Sequence, residues 1–144
     1  MPMIKIEETD NKVVDRKPVA PGYYEVYVNA FDEPEVNGDF ERGSILLKIR
    51  DDIEQNEKNR TLYVNLNTNP NIAWKLSNIA TAAGIPAGTD FETLGDYFKA
   101  LKGKSLRVVV AHRIYNDKVY ADVKGFYPTR EKPFTDESLE DSII

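Results

Sequence analysis

The chain has 144 residues, a net charge of −5 and 41% hydrophobic residues, which suffices for one domain with a modest core. It contains no cysteine, which excludes disulfides, thiol nucleophiles and cysteine-ligated metal clusters. No apolar run approaches the roughly 18 residues of a membrane span and no signal peptide is recognisable, so we expect a cytoplasmic protein without membrane contact.

Three strands are predicted in the first half of the chain. Residues 1–20 show little periodicity and are interpreted as an N-terminal arm. The segments 23–31, 44–50 and 60–66 each alternate between apolar and polar residues at period two, as half-buried strands do. An acidic loop at 32–41, with five acids and no base, separates the first two strands. The pattern indicates an antiparallel meander.

Two helices are predicted after the third strand. Asn69 and Pro70 are suited to begin the first helix, and Gly84 is suited to follow its end. A second, shorter helix is predicted after a cap at Asp90. We expect Trp74 to pack against the core, although it lies off the apolar stripe of the first helix. That stripe consists of Ile72, Leu76, Ile79 and Ala83.

A β-hairpin is predicted to complete the domain, with strands at 104–115 and 118–127 around a turn at Asn116-Asp117. His112 shares the parity of the buried residues of its strand, so we expect it at the core or at a barrel end. Strand, strand, strand, helix, strand, strand is the order of an OB-fold. We therefore predict a mainly β domain at 21–130, a five-stranded Greek-key barrel with a helical insertion between strands 3 and 4.

The charge distribution suggests a binding face. From Lys99 to Arg130 the chain has eight Lys/Arg against two Asp, although the whole chain is acidic. OB-folds that hold single strands combine cations with rings on which bases stack, each stack being worth about 1–3 kcal/mol. Strand parity gives the candidate nucleic-acid-binding residues Tyr27, Lys48, Arg50, Tyr63, Arg107, Arg113, Tyr115, Lys118, Tyr120 and Lys124. The same residues are also compatible with cross-strand packing on a solvated surface.

The C-terminal tail, residues 131–144, has five acids and one lysine and is predicted to be disordered. Leu139, Ile143 and Ile144 make it amphipathic, which suits docking to replication or recombination proteins. Two alternatives remain open for the tail. It either acts only as a solubiliser or competes with nucleic acid for the basic face.

Motifs for catalysis and for cofactor binding are not found. The sequence has one histidine, no phosphate-binding glycine loop, no HExxH and no GxSxG. The acids at 32–41 do not match the spacing of a calcium-binding EF-hand loop. We therefore expect a non-enzymatic protein with no cofactor and no metal.

Four short motifs carry a family resemblance: Pro21-Gly22-Tyr23-Tyr24, the segment from Asn71 to Gly84, Leu101-Lys-Gly-Lys104 and Val119-Tyr-Ala-Asp-Val-Lys-Gly-Phe-Tyr-Pro128. Over about residues 20–130 they resemble a family of small phage and prophage proteins, usually described as uncharacterised. The resemblance implies an OB-fold, single-stranded-DNA-binding-like protein in the cytoplasm of a bacterial host. The tail is also similar to that of bacterial single-strand-binding proteins, but it lacks their proline–phenylalanine end.

These observations lead to one functional hypothesis and one alternative. The hypothesis is a non-catalytic single-stranded-DNA-binding protein of phage or prophage replication or recombination, which binds by aromatic stacking and phosphate contacts. The alternative is a protein-interaction OB module, an adaptor that binds no nucleic acid. The choice between DNA and RNA is left open. So is the oligomeric state, with a homo-oligomer among the alternatives.

Overall fold

The computed structural model describes residues 17–132, which contain six strands of one antiparallel sheet and two α-helices. The strands are β1 (Gly22–Phe31), β2 (Glu35–Asn37), β3 (Phe40–Ile49), β4 (Thr61–Asn67), β5 (Ser105–Tyr115) and β6 (Lys118–Tyr127). The helices are α1 (Ala73–Ala82), which follows a 3-10 turn at Pro70–Ile72, and α2 (Leu94–Leu101). The strands and helices predicted from the sequence are present, but β2 and the first residues of β3 lie within the predicted acidic loop, because β3 begins at Phe40 and not at residue 44.

Strand β1 lies at the centre of the sheet. It pairs with β3 on one edge and with β5 on the other, so that Tyr27 lies opposite Lys48 and Glu25 opposite Arg107. Strand β3 also pairs with β2 and β4, and β5 pairs with β6. Within residues 17–132 no strand pairing joins β4 to β6, so the sheet is not closed. The mainly β, antiparallel part of the predicted fold class is confirmed.

The alternation of the strands determines which face of the sheet is buried. In β4, Leu62, Val64 and Leu66 are buried, whereas Tyr63 and Asn65 between them are exposed. Equivalent buried residues on the other long strands are Val26, Val28, Ile45, Leu47, Ile49, Leu106, Val108 and Val110. We call the opposite side of the sheet, which carries Tyr63, the outward face. Because side chains alternate at period two, every second residue of each regular strand segment belongs to it.

The two helices complete the core and are joined to each other. Phe98 of α2 is fully buried, and its ring centroid lies 5.6 Å from that of Phe31. The buried Tyr97 hydroxyl donates a hydrogen bond of 2.6 Å to the backbone oxygen of Leu76, and burial raises the pKa of this phenol. None of the helices in residues 17–132 is long and apolar enough to cross a membrane.

The helix starts differ in part from the prediction. The Asn69 side chain accepts a hydrogen bond of 2.9 Å from the N–H of Asn71, but the turn it caps is 3-10 and α1 begins only at Ala73. Helix α2 is capped by Thr93 and not by Asp90. The Thr93 hydroxyl accepts the N–H of Asp96 at 3.1 Å, which satisfies one of the otherwise unpaired donors of the first turn.

The prediction that Trp74 packs against the core is wrong, and so is the core alternative for His112. Trp74 is 63% exposed. A helix turns by about 100° per residue, so Trp74, two residues after Ile72, lies about 200° round the helix from the apolar stripe. His112 is also exposed, because β5 continues past its last pairing with β1 at Val110 and leaves the core. The His112 Nε2 instead lies 2.8 Å from the backbone oxygen of Val19. The predicted turn at Asn116-Asp117 is confirmed, with φ of 50° and 63°.

Candidate nucleic-acid interface

The gap between β4 and β6 forms an open cleft on the outward face, which we call the seam cleft. Its two adjoining parts have volumes of about 410 and 230 Å³ and share Tyr63, Asn65 and Asp122. The larger part is also lined by Arg113 and Tyr120. The smaller part is also lined by Lys75 and Lys124.

Local backbone geometry turns these side chains outward. The alternation of β4 leaves Tyr63 64% exposed between two buried residues. In β6 the register shifts, since Val123 lies opposite Val110 and Gly125 opposite Val109. Lys124 is therefore the extra residue of a β-bulge, which is an unpaired position and leaves its side chain exposed.

Cations outnumber acids in the seam cleft. Arg113 Nε donates to Asp122 Oδ2 at 2.7 Å, and the Nζ of Lys124 lies 3.8 Å from the same oxygen. The Arg113 guanidinium also lies 4.9 Å from the centroid of the Tyr120 ring. Two cations thus share one carboxylate, and Lys75 forms no ion pair with any of residues 17–132. Exposed rings beside incompletely neutralised cations suit a ligand with bases and phosphates.

An acidic cleft lies beyond the seam cleft along β4. It has a volume of about 520 Å³ and shares Asn65 with the seam cleft. Asp32, Glu33 and Glu35 line it together with Arg42. A polyanion bound in the seam cleft would be repelled at this end, so the acidic cleft limits the binding surface on one side.

The structure brings Tyr63, Arg113, Tyr120 and Lys124 of the predicted site residues together in the seam cleft. The other predicted residues lie elsewhere on the sheet. Tyr115 and Lys118 lie opposite each other beside the turn of the β5–β6 hairpin, and Tyr27 and Lys48 lie opposite each other on β1 and β3, both partly buried. The single predicted surface is therefore divided.

Arg50 is not accessible on the outward face as expected, and its side chain is only 1% exposed. Its Nε and Nη2 donate to the two carboxylate oxygens of Asp52 at 2.9 and 2.7 Å, and Nη2 also donates to the backbone oxygen of Lys132 at 2.7 Å. This bidentate hydrogen bonding lowers the pKa of the Asp52 carboxyl. The N–H of Arg50 donates to the backbone oxygen of Glu25 at 3.0 Å, so the pairing with β1 continues past β3, and the segment that contains Lys132 covers the Arg50 side chain.

Arg107 is held by a buried carboxylate. Its Nη1 donates to Glu25 Oε2 at 3.2 Å, and Glu25 is only 3% exposed. The Glu25 carboxylate also accepts the hydroxyl of Thr129 and the N–H of Arg130, the latter at 3.3 Å. Three donors therefore converge on this carboxylate, which accounts for the burial of a charged group.

A second aromatic cleft, which sequence reasoning missed, lies next to Arg107. It is lined by Tyr23, Arg107, Tyr127, Pro128 and Arg130, with a volume of about 520 Å³, and we call it the Tyr23–Tyr127 cleft. Strand parity could have suggested Tyr23, which has the parity of Tyr27. It could not have suggested Tyr127, because the bulge at Lys124 shifts the parity of β6.

Two further sequence expectations concern partners and metals. The predicted partner-binding residues Leu139, Ile143 and Ile144 lie outside the described residues. Within residues 17–132, no group of three or more histidine, aspartate or glutamate side chains is arranged to hold a metal ion.

The family of the chain follows from a comparison with known proteins. A search of curated proteins finds no match for this chain. A family model described as "Protein of unknown function (DUF669)" matches residues 6–137, which include both aromatic clefts. Since the match covers most of the sequence, the chain belongs to the DUF669 family of proteins of unknown function.

Proposed function

We propose that this protein is an OB-fold module that binds single-stranded DNA without catalysis, through base stacking and phosphate contacts. The observation that carries the proposal is the seam cleft, in which the exposed Tyr63 ring lies among Lys75, Arg113 and Lys124. A nucleic acid satisfies both halves of this surface, because its bases stack on rings and its phosphates neutralise the cations.

The arrangement of strands supports the OB-fold part of the proposal. Five long strands follow the OB-fold order, with α1 and α2 between the third and the fourth. β1 neighbours β3 and β5, β3 neighbours β4, and β5 neighbours β6. A closed Greek-key barrel would require one more junction, between β4 and β6, and the seam cleft occupies that place. OB-folds bind single strands on their second and third strands and the adjacent loops, where Tyr63 also lies.

The proposed setting is phage or prophage replication or recombination in the cytoplasm of a bacterial host. The four sequence motifs that resemble small phage proteins support it. All four lie within residues 17–132, and the motif on β6 contains Tyr120 and Lys124 of the seam cleft.

A titration with labelled oligo-dT tests the binding function. The chain has a single tryptophan, Trp74, which is 63% exposed and adjacent to Lys75, so quenching of its fluorescence provides a second readout beside anisotropy. We expect binding at low salt that weakens steeply between about 50 and 200 mM salt, because counterions are released from the phosphates. Absence of binding by the wild-type protein at low salt would refute the proposal.

The variant Tyr63→Ala tests the location. Loss of one stacking ring is expected to weaken binding by about 1–3 kcal/mol, or roughly fivefold to 150-fold. The matched control is Phe40→Ala, which removes a ring that is 38% exposed beside the acidic loop. Equal losses of affinity in the two variants would contradict the placement of the site in the seam cleft.

The adaptor function remains a second candidate, and the tip of the β5–β6 hairpin favours it. Ile114 is 75% exposed, Tyr115 60% and Val119 42%, and apolar groups gathered at one exposed tip are typical of protein contact sites. The same titration separates the two functions. An adaptor that binds no nucleic acid gives no signal with oligo-dT at any salt concentration.

A further inference from the structure

The Tyr23–Tyr127 cleft also combines aromatic rings with cations, and it is separate from the proposed site in the seam cleft. Tyr23 is 55% exposed and Tyr127 43% exposed, and their ring centroids lie 6.0 Å apart at a tilt of 48°. The Arg107 guanidinium lies 4.8 Å from the centroid of the Tyr23 ring. The rings therefore contact each other and a cation, while much of each ring remains open to solvent.

Gly125 makes the position of the Tyr127 ring possible. A Cβ at Gly125 would lie 2.8 Å from the Tyr127 hydroxyl oxygen and 3.0 Å from a methyl group of Val109. The first of these distances is shorter than real Cβ contacts and the second is very tight, so a side chain at position 125 would require the Tyr127 ring to shift. The ring lies across the backbone of β6 with one side on Gly125, and its exposed part faces away from the sheet.

The buried Glu25 carboxylate organises the cationic part of this cleft. It binds the Arg107 side chain and the backbone N–H of Arg130, which fixes residues 129–130 against β1. Arg107 is thereby neutralised, whereas Arg130 forms no ion pair with any of residues 17–132. The cleft has a surplus positive charge at its rim beside two rings, and an anion that also carries an aromatic ring matches both features.

Both aromatic clefts lie along β6. Lys124 lines the seam cleft, and Tyr127 is three residues further along the same strand, about 10 Å away at the rise of a β-strand. We infer that the Tyr23–Tyr127 cleft is a second nucleotide site for the same single strand, with a base stacked on Tyr127 and a phosphate held by Arg130. The inference rests on the proposed function, and it lengthens the site within the roughly 4–16 nucleotides that one OB-fold occupies.

The inference is tested with oligo-dT of two lengths, about 4 and about 12 nucleotides, chosen within the span of one OB-fold. The short oligonucleotide is expected to occupy the seam cleft, which has the larger surplus of cations, and the long one to reach both clefts. Tyr127→Ala and Arg130→Gln should each weaken binding of the long oligonucleotide about fivefold or more and change binding of the short one less than about twofold. For the long oligonucleotide, Arg130→Gln should also reduce the slope of the logarithm of the binding constant against the logarithm of the salt concentration by about one unit, because one phosphate contact is lost.

Matched variants make the result specific. Lys99→Gln removes the same charge from an exposed position of α2 that lines neither cleft, and it should bind both lengths as the wild type does. Gly125→Ala keeps both rings but displaces Tyr127, so it should reproduce the loss seen with Tyr127→Ala. Arg130 is exposed, so its substitution should not impair folding, and thermal unfolding checks each variant.

The possible outcomes distinguish this inference from the proposed function. Weaker binding of both lengths by Tyr63→Ala, together with weaker binding of the long oligonucleotide alone by Tyr127→Ala and Arg130→Gln, supports the second site. Wild-type affinity of the last two variants for the long oligonucleotide, with Tyr63→Ala still impaired, overturns the second site and leaves the proposed function standing. If the wild-type protein binds neither length, the proposed function fails and the second site with it.

Discussion

Cations on the outward face differ in exposure and pairing between two regions, the seam cleft and the end of the sheet where β3 finishes and β1 begins. At the seam cleft, Arg113 and Lys124 remain exposed and share the carboxylate of Asp122. At the other end, Arg50 and Arg107 are each held by a carboxylate of their own, and that of Arg107 is nearly inaccessible to solvent. We call these regions the open end and the closed end.

Each pair of the closed end has one buried member, Arg50 in the first and Glu25 in the second, whereas Arg113, Lys124 and Asp122 are all at least partly exposed. A buried pair has lost its hydration and depends on its geometry, whereas an exposed pair is screened by water and exchanges partners easily. The segment 128–132 produces the closed end, because Thr129, Arg130 and Lys132 all hydrogen-bond to Glu25 or Arg50. The exposed cations Arg113 and Lys124 are therefore the ones that the proposed function uses for binding, whereas the paired Arg50 and Arg107 contribute to stability.

The largest effect is expected from Glu25→Ala at the closed end. It leaves Arg107 without its carboxylate and the donors of Thr129 and Arg130 without an acceptor, so the free energy of unfolding should fall by about 3–5 kcal/mol. Urea unfolding followed by Trp74 fluorescence measures it. Glu54→Ala is the control, because Glu54 pairs with Lys58 at 3.2 Å while 96% exposed and should contribute almost nothing. Equal effects of the two substitutions would refute the distinction between the ends.

Sequence periodicity predicted on which face of the sheet a residue lies, but it did not predict whether that residue is exposed there. Alternation in β4 correctly placed Tyr63 outward, because its pattern is unbroken from Thr61 to Leu66. The same rule assigned Arg50 outward, yet its side chain is buried because the segment at Lys132, 82 residues away in the sequence, covers it. Alternation predicts neither this coverage nor the bulge at Lys124, which shifts the parity of β6.

The sequence alone also could not predict which charged residues pair with each other. Glu25 and Arg107 are 82 residues apart, and Glu25 and Arg130 are 105 residues apart. Only the tertiary fold brings them together, so a count of local charge treated Arg107 as available. The Tyr23–Tyr127 cleft was missed for a similar reason, because its rings come from the first and the last strand in chain order, which only the fold brings together.

A smaller effect is expected from Asp52→Asn, also at the closed end. It removes the charge that holds Arg50, and the free energy of unfolding near neutral pH should fall by about 1–3 kcal/mol. Arg50 lowers the pKa of Asp52 below its ordinary 3.8, so the unfolded state binds more protons between the two values. The stabilisation is therefore complete above about pH 5 and is lost as the pH falls through the lowered pKa.

Urea unfolding of the wild type and Asp52→Asn across a pH series checks this sign. The difference between the two proteins should stay constant from neutral pH to about pH 5 and shrink below the ordinary carboxyl pKa. A difference that grows on acidification would contradict the assignment of the Asp52 charge to the Arg50 pair. Glu54→Gln, in which the lost carboxylate is exposed, provides the control.

The smallest effect is expected at the open end, where a substitution should strengthen DNA binding instead of weakening a property of the protein. Asp122→Asn releases Arg113 and Lys124 from their shared carboxylate, so oligo-dT affinity should rise a few-fold. The slope of the logarithm of the binding constant against the logarithm of the salt concentration should steepen by about one unit, which corresponds to one more phosphate contact. Asp117→Asn makes the same charge change in the hairpin turn, where no ion pair with the described residues involves Asp117 and asparagine tolerates its φ of 63°. A comparable gain in Asp117→Asn would mean that net charge alone sets the affinity. A gain confined to Asp122→Asn would show that one half-buried carboxylate restrains the cations of the open end, as the buried Glu25 restrains Arg107 at the closed end.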